Sequence, residues 1–136
     1  MLAGTALAVS ACGSSSPAAI APRPPAPVNL TVYIDNSRVS VSPAIVGAGP
    51  VEFIITNQAS QAESVAILRS GASAGQPLAS TAPINPQATA QITVNFSRPG
   101  RYSVATGDGG SGSGVRAASI RIGAKRASSD NQLLQP

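Results

Sequence analysis

The sequence predicts an all-β fold: a Greek-key β-sandwich of about seven or eight short antiparallel strands between residues 28 and 123. Three observations predict it. Apolar and polar residues alternate with a period of two over nearly the whole span, the pattern of strands with one buried face. Clusters of Gly, Pro, Asn and Asp interrupt that alternation at short intervals, where turns belong. No segment carries a helical period, and there is no internal repeat.

Taken in order, Val28, Leu30, Val32 and Ile34 alternate with Asn29, Thr31 and Tyr33, and Asp35-Asn36 ends that strand. Val39 and Val41 alternate with Ser40 and Ser42, and Gly47-Ala48-Gly49-Pro50 is expected to be a turn. Val51, Phe53 and Ile55 share a face opposite Glu52, Ile54 and Thr56, which predicts a strand buried on more than one side. After a turn at Asn57 to Gln61, Val65 and Ile67 alternate with Ser64, Ala66 and Leu68. Breaks at Gly71 to Gly75 and Asn85-Pro86 lead to Ile92, Val94 and Phe96, opposed by Gln91, Thr93 and Asn95. Arg98-Pro99-Gly100 turns the chain into Tyr102 and Val104, opposed by Arg101, Ser103 and Ala105. A long loop, Gly107 to Gly114, precedes Ala118, Ile120 and Ile122, opposed by Ser119 and Arg121. Residues 124–136 show no pattern and are expected to form a flexible tail.

What the composition lacks excludes more than what it contains. The 136 residues allow one ordinary domain, not two. There is no His, so there is no Ser-His-Asp triad, no imidazole base and no His-ligated metal. The single cysteine, Cys12, rules out an intrachain disulfide and an iron–sulfur cluster. Nine basic against five acidic residues give a net charge of +4, but the basic residues are scattered, and only Arg121, Lys125 and Arg126 lie close together. With Tyr33, Phe53, Phe96 and Tyr102 as the whole aromatic set, base stacking has no platform, and nucleic acid is not an expected partner. Attraction to an anionic surface needs no such platform and stays open.

The N-terminal residues read MLAGTALAVSAC and give way after Cys12 to GSSSPAAIAPRPPAP. An apolar stretch ending in small residues before a cysteine resembles a bacterial lipoprotein signal, with residues 1–12 as the signal and Cys12 as the lipidated residue. The alternative is a disordered terminus with a chance cysteine. No Lys or Arg precedes Arg23, so the start of such a signal is expected upstream of Met1. No run of ~18 apolar residues exists, which excludes a spanning helix. Residues 13–27, with their Ser run and repeated Pro, are expected to form an extended linker. The expected location is extracytoplasmic, on the cell membrane, through lipidated Cys12.

A strand ending in Phe53-Ile54-Ile55-Thr56-Asn57, a polar loop and then Glu63-Ser64-Val65-Ala66-Ile67 resembles the middle of a cupredoxin. So does Pro99-Gly100-Arg101-Tyr102-Ser103-Val104, followed by a loop and the last strand from Ala118 to Ile122. An immunoglobulin-like sandwich, which also carries a Tyr at such a corner, is the alternative topology. The cupredoxin resemblance implies a copper site of His, Cys, His and Met, but the residues do not follow it. The first His position falls on Glu63, the Cys position on Thr106, and the remaining two in the loop Gly107-Asp108-Gly109-Gly110-Ser111-Gly112-Ser113-Gly114. Soft thiolate and imidazole donors make a type-1 copper centre. None is present at these positions, so no copper and no other metal or cofactor is expected.

Each remaining candidate has a plain structural reading beside its functional one. The Gly107–Gly114 loop could cradle an anion, yet it lacks the lysine and following helix of a phosphate loop, and it is expected to be a flexible inter-strand connection. Glu63, Thr106 and Asp108 could gather as a weak site for a hard cation, or Glu63 could be a solvated loop-edge residue. Tyr102 is expected to hydrogen-bond back to a nearby turn. A serine nucleophile has no base here, and no catalytic role is expected. The expected function is a lipid-anchored, non-catalytic binding or accessory module of the cell envelope, with an envelope protein or a glycan as partner. The alternative is a structural or adhesive surface domain with no selective site. The sequence does not fix the oligomeric state.

Overall fold

The computed structural model describes residues 23–71, 76–107 and 114–128. It contains eight strands: β1 Val28–Ile34, β2 Val39–Ser42, β3 Ile45–Asn57, β4 Val65–Arg69, β5 Ala79–Ser80, β6 Thr89–Phe96, β7 Gly100–Thr106 and β8 Ala118–Lys125. One layer runs β2-β1-β3-β6, and the other runs β3-β8-β7-β4-β5, so β3 belongs to both. Among the described residues no helix is long and apolar enough to cross a membrane.

The inward positions are the ones the alternation marks. Leu30, Val32 and Ile34 of β1, Val51, Phe53 and Ile55 of β3, and Val94 and Phe96 of β6 are buried from one layer. Val65 and Ile67, Tyr102 and Val104, and Ile120 and Ile122 meet them from the other. Phe96 and Tyr102 cross the interface edge to face, with ring centroids 4.8 Å apart, and Phe53 meets Phe96 edge to face from behind at 6.1 Å. This geometry suits the ring quadrupoles and ties the two layers at one end.

Four expectations need correction. Two pairings are parallel rather than antiparallel, β1 with β3 and β3 with β8. Alternation fixes which face is buried and carries no information about strand direction. The segment Gly47–Pro50 does turn the chain, but it does not separate two elements: it lies within β3, at the point where the strand changes layers. Its first residues run parallel to β8 and its last run parallel to β1, while β8 begins at the end of the sandwich where β1 finishes. The chain therefore reverses its course at this corner while staying hydrogen-bonded on both sides. The last strand continues to Lys125, beyond the boundary expected at residue 123, because its end pairs with the corner at Ala48. Finally, β5 is a two-residue edge strand, too short for alternation to reveal.

The connections sort into two ends. One end, here the loop end, carries the β1–β2, β3–β4 and β7–β8 connections, and Arg38 bridges to Arg116 there. The other end, the corner end, holds the start of β1, the Gly47–Pro50 corner, the β6–β7 turn and the end of β8.

Candidate functional site

At the loop end the structure brings Glu63, Thr106 and Gly107 together. β4 and β7 pair antiparallel with Val65 opposite Thr106, and the Gly107 N–H donates to the Ser64 carbonyl at 2.8 Å. Glu63 follows next along the same edge, half-buried, with its backbone exchanging two hydrogen bonds with Ile84 at 2.9 and 3.0 Å. Thr106 is buried. Gly114 closes the loop on an exposed, left-handed residue. Asp108 and Gly109, the other two predicted positions, lie outside the described residues, as does Cys12. Among the described residues no three His, Cys, Asp or Glu side chains gather as metal ligands would.

The residue that organises this end entered the sequence reading only as the end of a strand and the start of a turn, with no role assigned to its side chain. Asn57 is fully buried at the end of β3. Its amide nitrogen donates to the carbonyls of Gln61 and Ile84 at 2.7 and 2.8 Å, and its amide oxygen accepts from the Ala59 N–H at 2.9 Å. Its backbone N–H donates to Ala88, and its carbonyl accepts from Gln87. Asn57 thus fixes the β3–β4 loop and, through Ile84, the backbone of Glu63. An Asn at a strand end, whose side chain accepts from the N–H two residues on, is a recognisable turn signal. Nothing in sequence spacing announces the contact 27 residues away.

Asp35 anchors the β1–β2 loop beside it. Its carboxylate accepts from the Ser37 hydroxyl at 2.6 Å and from the backbone N–H groups of Ser37 and Arg38 at 2.7 and 2.9 Å. The Ser37 hydroxyl, these N–H groups and the nearby Arg38 charge hold its pKa below the usual 3.8.

The corner end has the opposite character. Arg23, Arg69, Arg98, Arg101, Arg121, Lys125 and Arg126, scattered in the sequence, all lie on strand ends or segments at this end. A cleft of about 450 Å³ there is lined by Arg23, Pro25, Pro50, Phe96, Lys125 and Arg126 among others. Arg126, expected in the tail, folds back: its Nε donates to the Ala48 carbonyl at 3.4 Å, its Nη1 to Ala26 at 2.6 Å and its Nη2 to Pro50. Tyr102 behaves as expected, donating its hydroxyl to the Arg98 carbonyl at 2.9 Å across the β6–β7 turn.

No protein-family model matches this chain. No curated protein matches it either. Solved structures do resemble it. An auracyanin from the photosynthetic bacterium Roseiflexus castenholzii superposes with a TM-score of 0.50 and 14% identity, covering 71% of this chain and 95% of that one. Auracyanin B gives 0.52 and 14%, over 76% and 92%. Auracyanin A, a blue copper protein from Chloroflexus aurantiacus, gives 0.50 and 17%, over 71% and 99%. Likeness at such identity is a likeness of fold, and the fold is a cupredoxin-like all-β sandwich rather than the immunoglobulin-like alternative. The copper ligands that the sequence resemblance implies would fall at the loop end, and the described residues there do not fit them. Glu63 offers a hard carboxylate and Thr106 a hydroxyl, where type-1 copper takes thiolate and imidazole.

Proposed function

We propose that this chain is a lipid-anchored, non-catalytic module of the cell envelope that uses a cupredoxin-like sandwich to present its loop end to an envelope protein or a glycan, without redox copper. The observation that carries this reading is the chemistry of the loop end. A complete core and a loop end pinned by Asn57 support a carboxylate and a hydroxyl where electron transfer would need soft donors. A fold kept intact without its donors serves as a scaffold, since function resides in sites rather than in folds.

The anchor in this reading is Cys12. Each buried methylene of a lipid chain contributes about 0.8 kcal/mol, so two acyl chains hold a domain that one would release. The described core is built on a continuous apolar cluster from Leu30 to Ile122 and holds no cysteine.

Intact mass of the chain from the membrane fraction, native against Cys12→Ser, tests the anchor, and metal analysis of the same sample tests the copper-free state. A lipid-sized increment lost in the variant, with no stoichiometric metal, is the expected result. An unmodified native chain overturns the anchor, and stoichiometric copper overturns the scaffold reading.

A further inference from the structure

Charge is distributed along the sandwich from end to end. The corner end collects seven of the nine basic residues; of the described acids, Asp35 and Glu63 lie at the loop end, and Glu52 lies near the corner but on the outer face of the other layer, away from the β7–β8 pair. On the outer face of the β7–β8 pair, Arg101 stands directly opposite Arg121, both exposed. Like charges facing each other across a ladder repel. Among the described residues no carboxylate pairs with Arg98, Arg101, Arg121 or Lys125. A shallow cleft of about 440 Å³ runs between Arg101 and Arg121 past Pro99 and Gly100.

We propose that this basic end is a membrane-facing surface on which Arg98, Arg101, Arg121 and Lys125 rest against anionic lipid headgroups. An anionic plane converts the Arg101–Arg121 repulsion into shared attraction, and several arginines at one end act together where single charges would be screened. The path of the chain agrees with the charge. Arg126 fastens the Ala26 carbonyl to the corner end, so the segment leading back to Cys12 departs from the basic side. Arg23 lies eleven positions after Cys12, a span of at most about 40 Å even when fully extended. Seated this way, the domain turns its loop end away from the bilayer by roughly the length of a seven-residue strand, about 23 Å. The proposal rests on the Cys12 reading for which membrane is faced, not for the attraction itself.

The test uses the full chain carrying Cys12→Ser, so that binding reports the protein surface without a lipid. Cosedimentation is measured with vesicles of phosphatidylglycerol and phosphatidylcholine, and with phosphatidylcholine alone, at low and physiological salt. The expected result is binding to the anionic vesicles only, weakened by salt, with Arg101→Gln and Arg121→Gln each lowering the partition coefficient roughly fivefold. Arg38→Gln and Arg116→Gln, at the loop end, are expected to leave it unchanged. All four arginines are exposed, and an unchanged urea midpoint checks that the variants fold. No binding at low salt overturns the proposal, as does equal binding to neutral vesicles or an equal loss from the loop-end variants. Tighter binding to a soluble single-stranded nucleic acid than to the anionic vesicles would assign the surface to a different polyanion and overturn it too. The mass measurement on the native chain separates the two readings: lipid without vesicle binding by the variant sinks the docking face alone, and vesicle binding without lipid sinks the anchor alone.

Discussion

The guanidinium of Arg126 donates to the carbonyl of Ala26, one hundred residues earlier in the chain, and so joins the segment before β1 to the end of β8. The same fork reaches Ala48 and Pro50 at the corner of β3, so three separate segments share one cation. Carbonyls bound to a charged donor are held more strongly than by neutral pairs, at about 1.5–3 kcal/mol per bond. Arg126→Gln should therefore lower stability by roughly 1–3 kcal/mol, the discount reflecting its partial exposure. Arg126→Lys should recover little, because a point charge cannot serve three carbonyls set around a planar fork. Urea midpoints check the energies, and faster proteolysis within residues 23–27 in both variants checks the mechanism.

Gly49 sits at that corner with φ +135°, a conformation L side chains rarely adopt. A Cβ there would also lie 2.9 Å from both the Pro25 ring and the Arg126 guanidinium. Gly71 has φ +85° with open space around it. Gly71→Ala should thus cost about 1 kcal/mol of backbone strain alone, and Gly49→Ala distinctly more, about 2–4 kcal/mol. Equal losses in thermal or urea unfolding would mean that the close approach of Pro25 and Arg126 contributes nothing.

Tyr102 separates packing from hydrogen bonding at one position. Its ring packs on Phe96, and its hydroxyl holds the Arg98 carbonyl. Tyr102→Phe should lose about 1 kcal/mol, the net worth of one such bond. Tyr102→Ala should lose about 3–5 kcal/mol by opening a cavity between the layers. Denaturant unfolding of the pair gives both numbers.

These residues also show what a sequence can and cannot convey. The inward set from Leu30 to Ile122 was legible because a strand has one strict period, and burial of one face imposes it directly. Tyr102 was legible because its partner lies four residues away, within the same turn. Arg126 and the basic end were not, since their partners are 76 to 100 residues distant and a charged residue in an unpatterned tail carries no periodic signal. Strand direction was hidden for the same reason. Val28 pairs with Val51 in parallel through a crossover that alternation alone cannot distinguish from a hairpin. At the loop end Glu63 and Thr106, where the resemblance puts ligands, were found by alignment to a resembling pattern, and the structure sets Thr106 at the end of β7 with Glu63 two residues before its partner Val65. Asn57, which holds that arrangement, gave only the weaker signal of a turn residue.

Asn57→Asp tests how much of the loop end depends on one amide. The substitution keeps shape and the acceptor for Ala59, but an ionised carboxylate has no hydrogen to offer the Gln61 and Ile84 carbonyls. Two donors are lost and a charge is placed in a fully buried site. Stability should fall by about 3–5 kcal/mol near neutral pH, and part of the loss should be recovered in acid, where the protonated acid can donate again. Amide hydrogen exchange should show Glu63 and Ile84 losing protection before the core strands do.

Asp35 makes the opposite pH dependence. Its carboxylate is held below the usual 3.8 by the Ser37 hydroxyl, the Ser37 and Arg38 N–H groups and the Arg38 charge. A group whose folded pKa is depressed binds protons more readily in the unfolded chain, so its contribution is complete above the unfolded value and disappears as pH falls through the lower folded one. Native and Asp35→Ala chains should therefore differ in unfolding midpoint at pH 6, begin to converge near pH 4, and coincide most closely at still lower pH. The site is exposed to solvent, so added salt should shrink only the Arg38 share of the difference and leave the three hydrogen bonds in place. A gap that stays constant from pH 6 to pH 2 would show that the charge on Asp35 does not hold the β1–β2 loop.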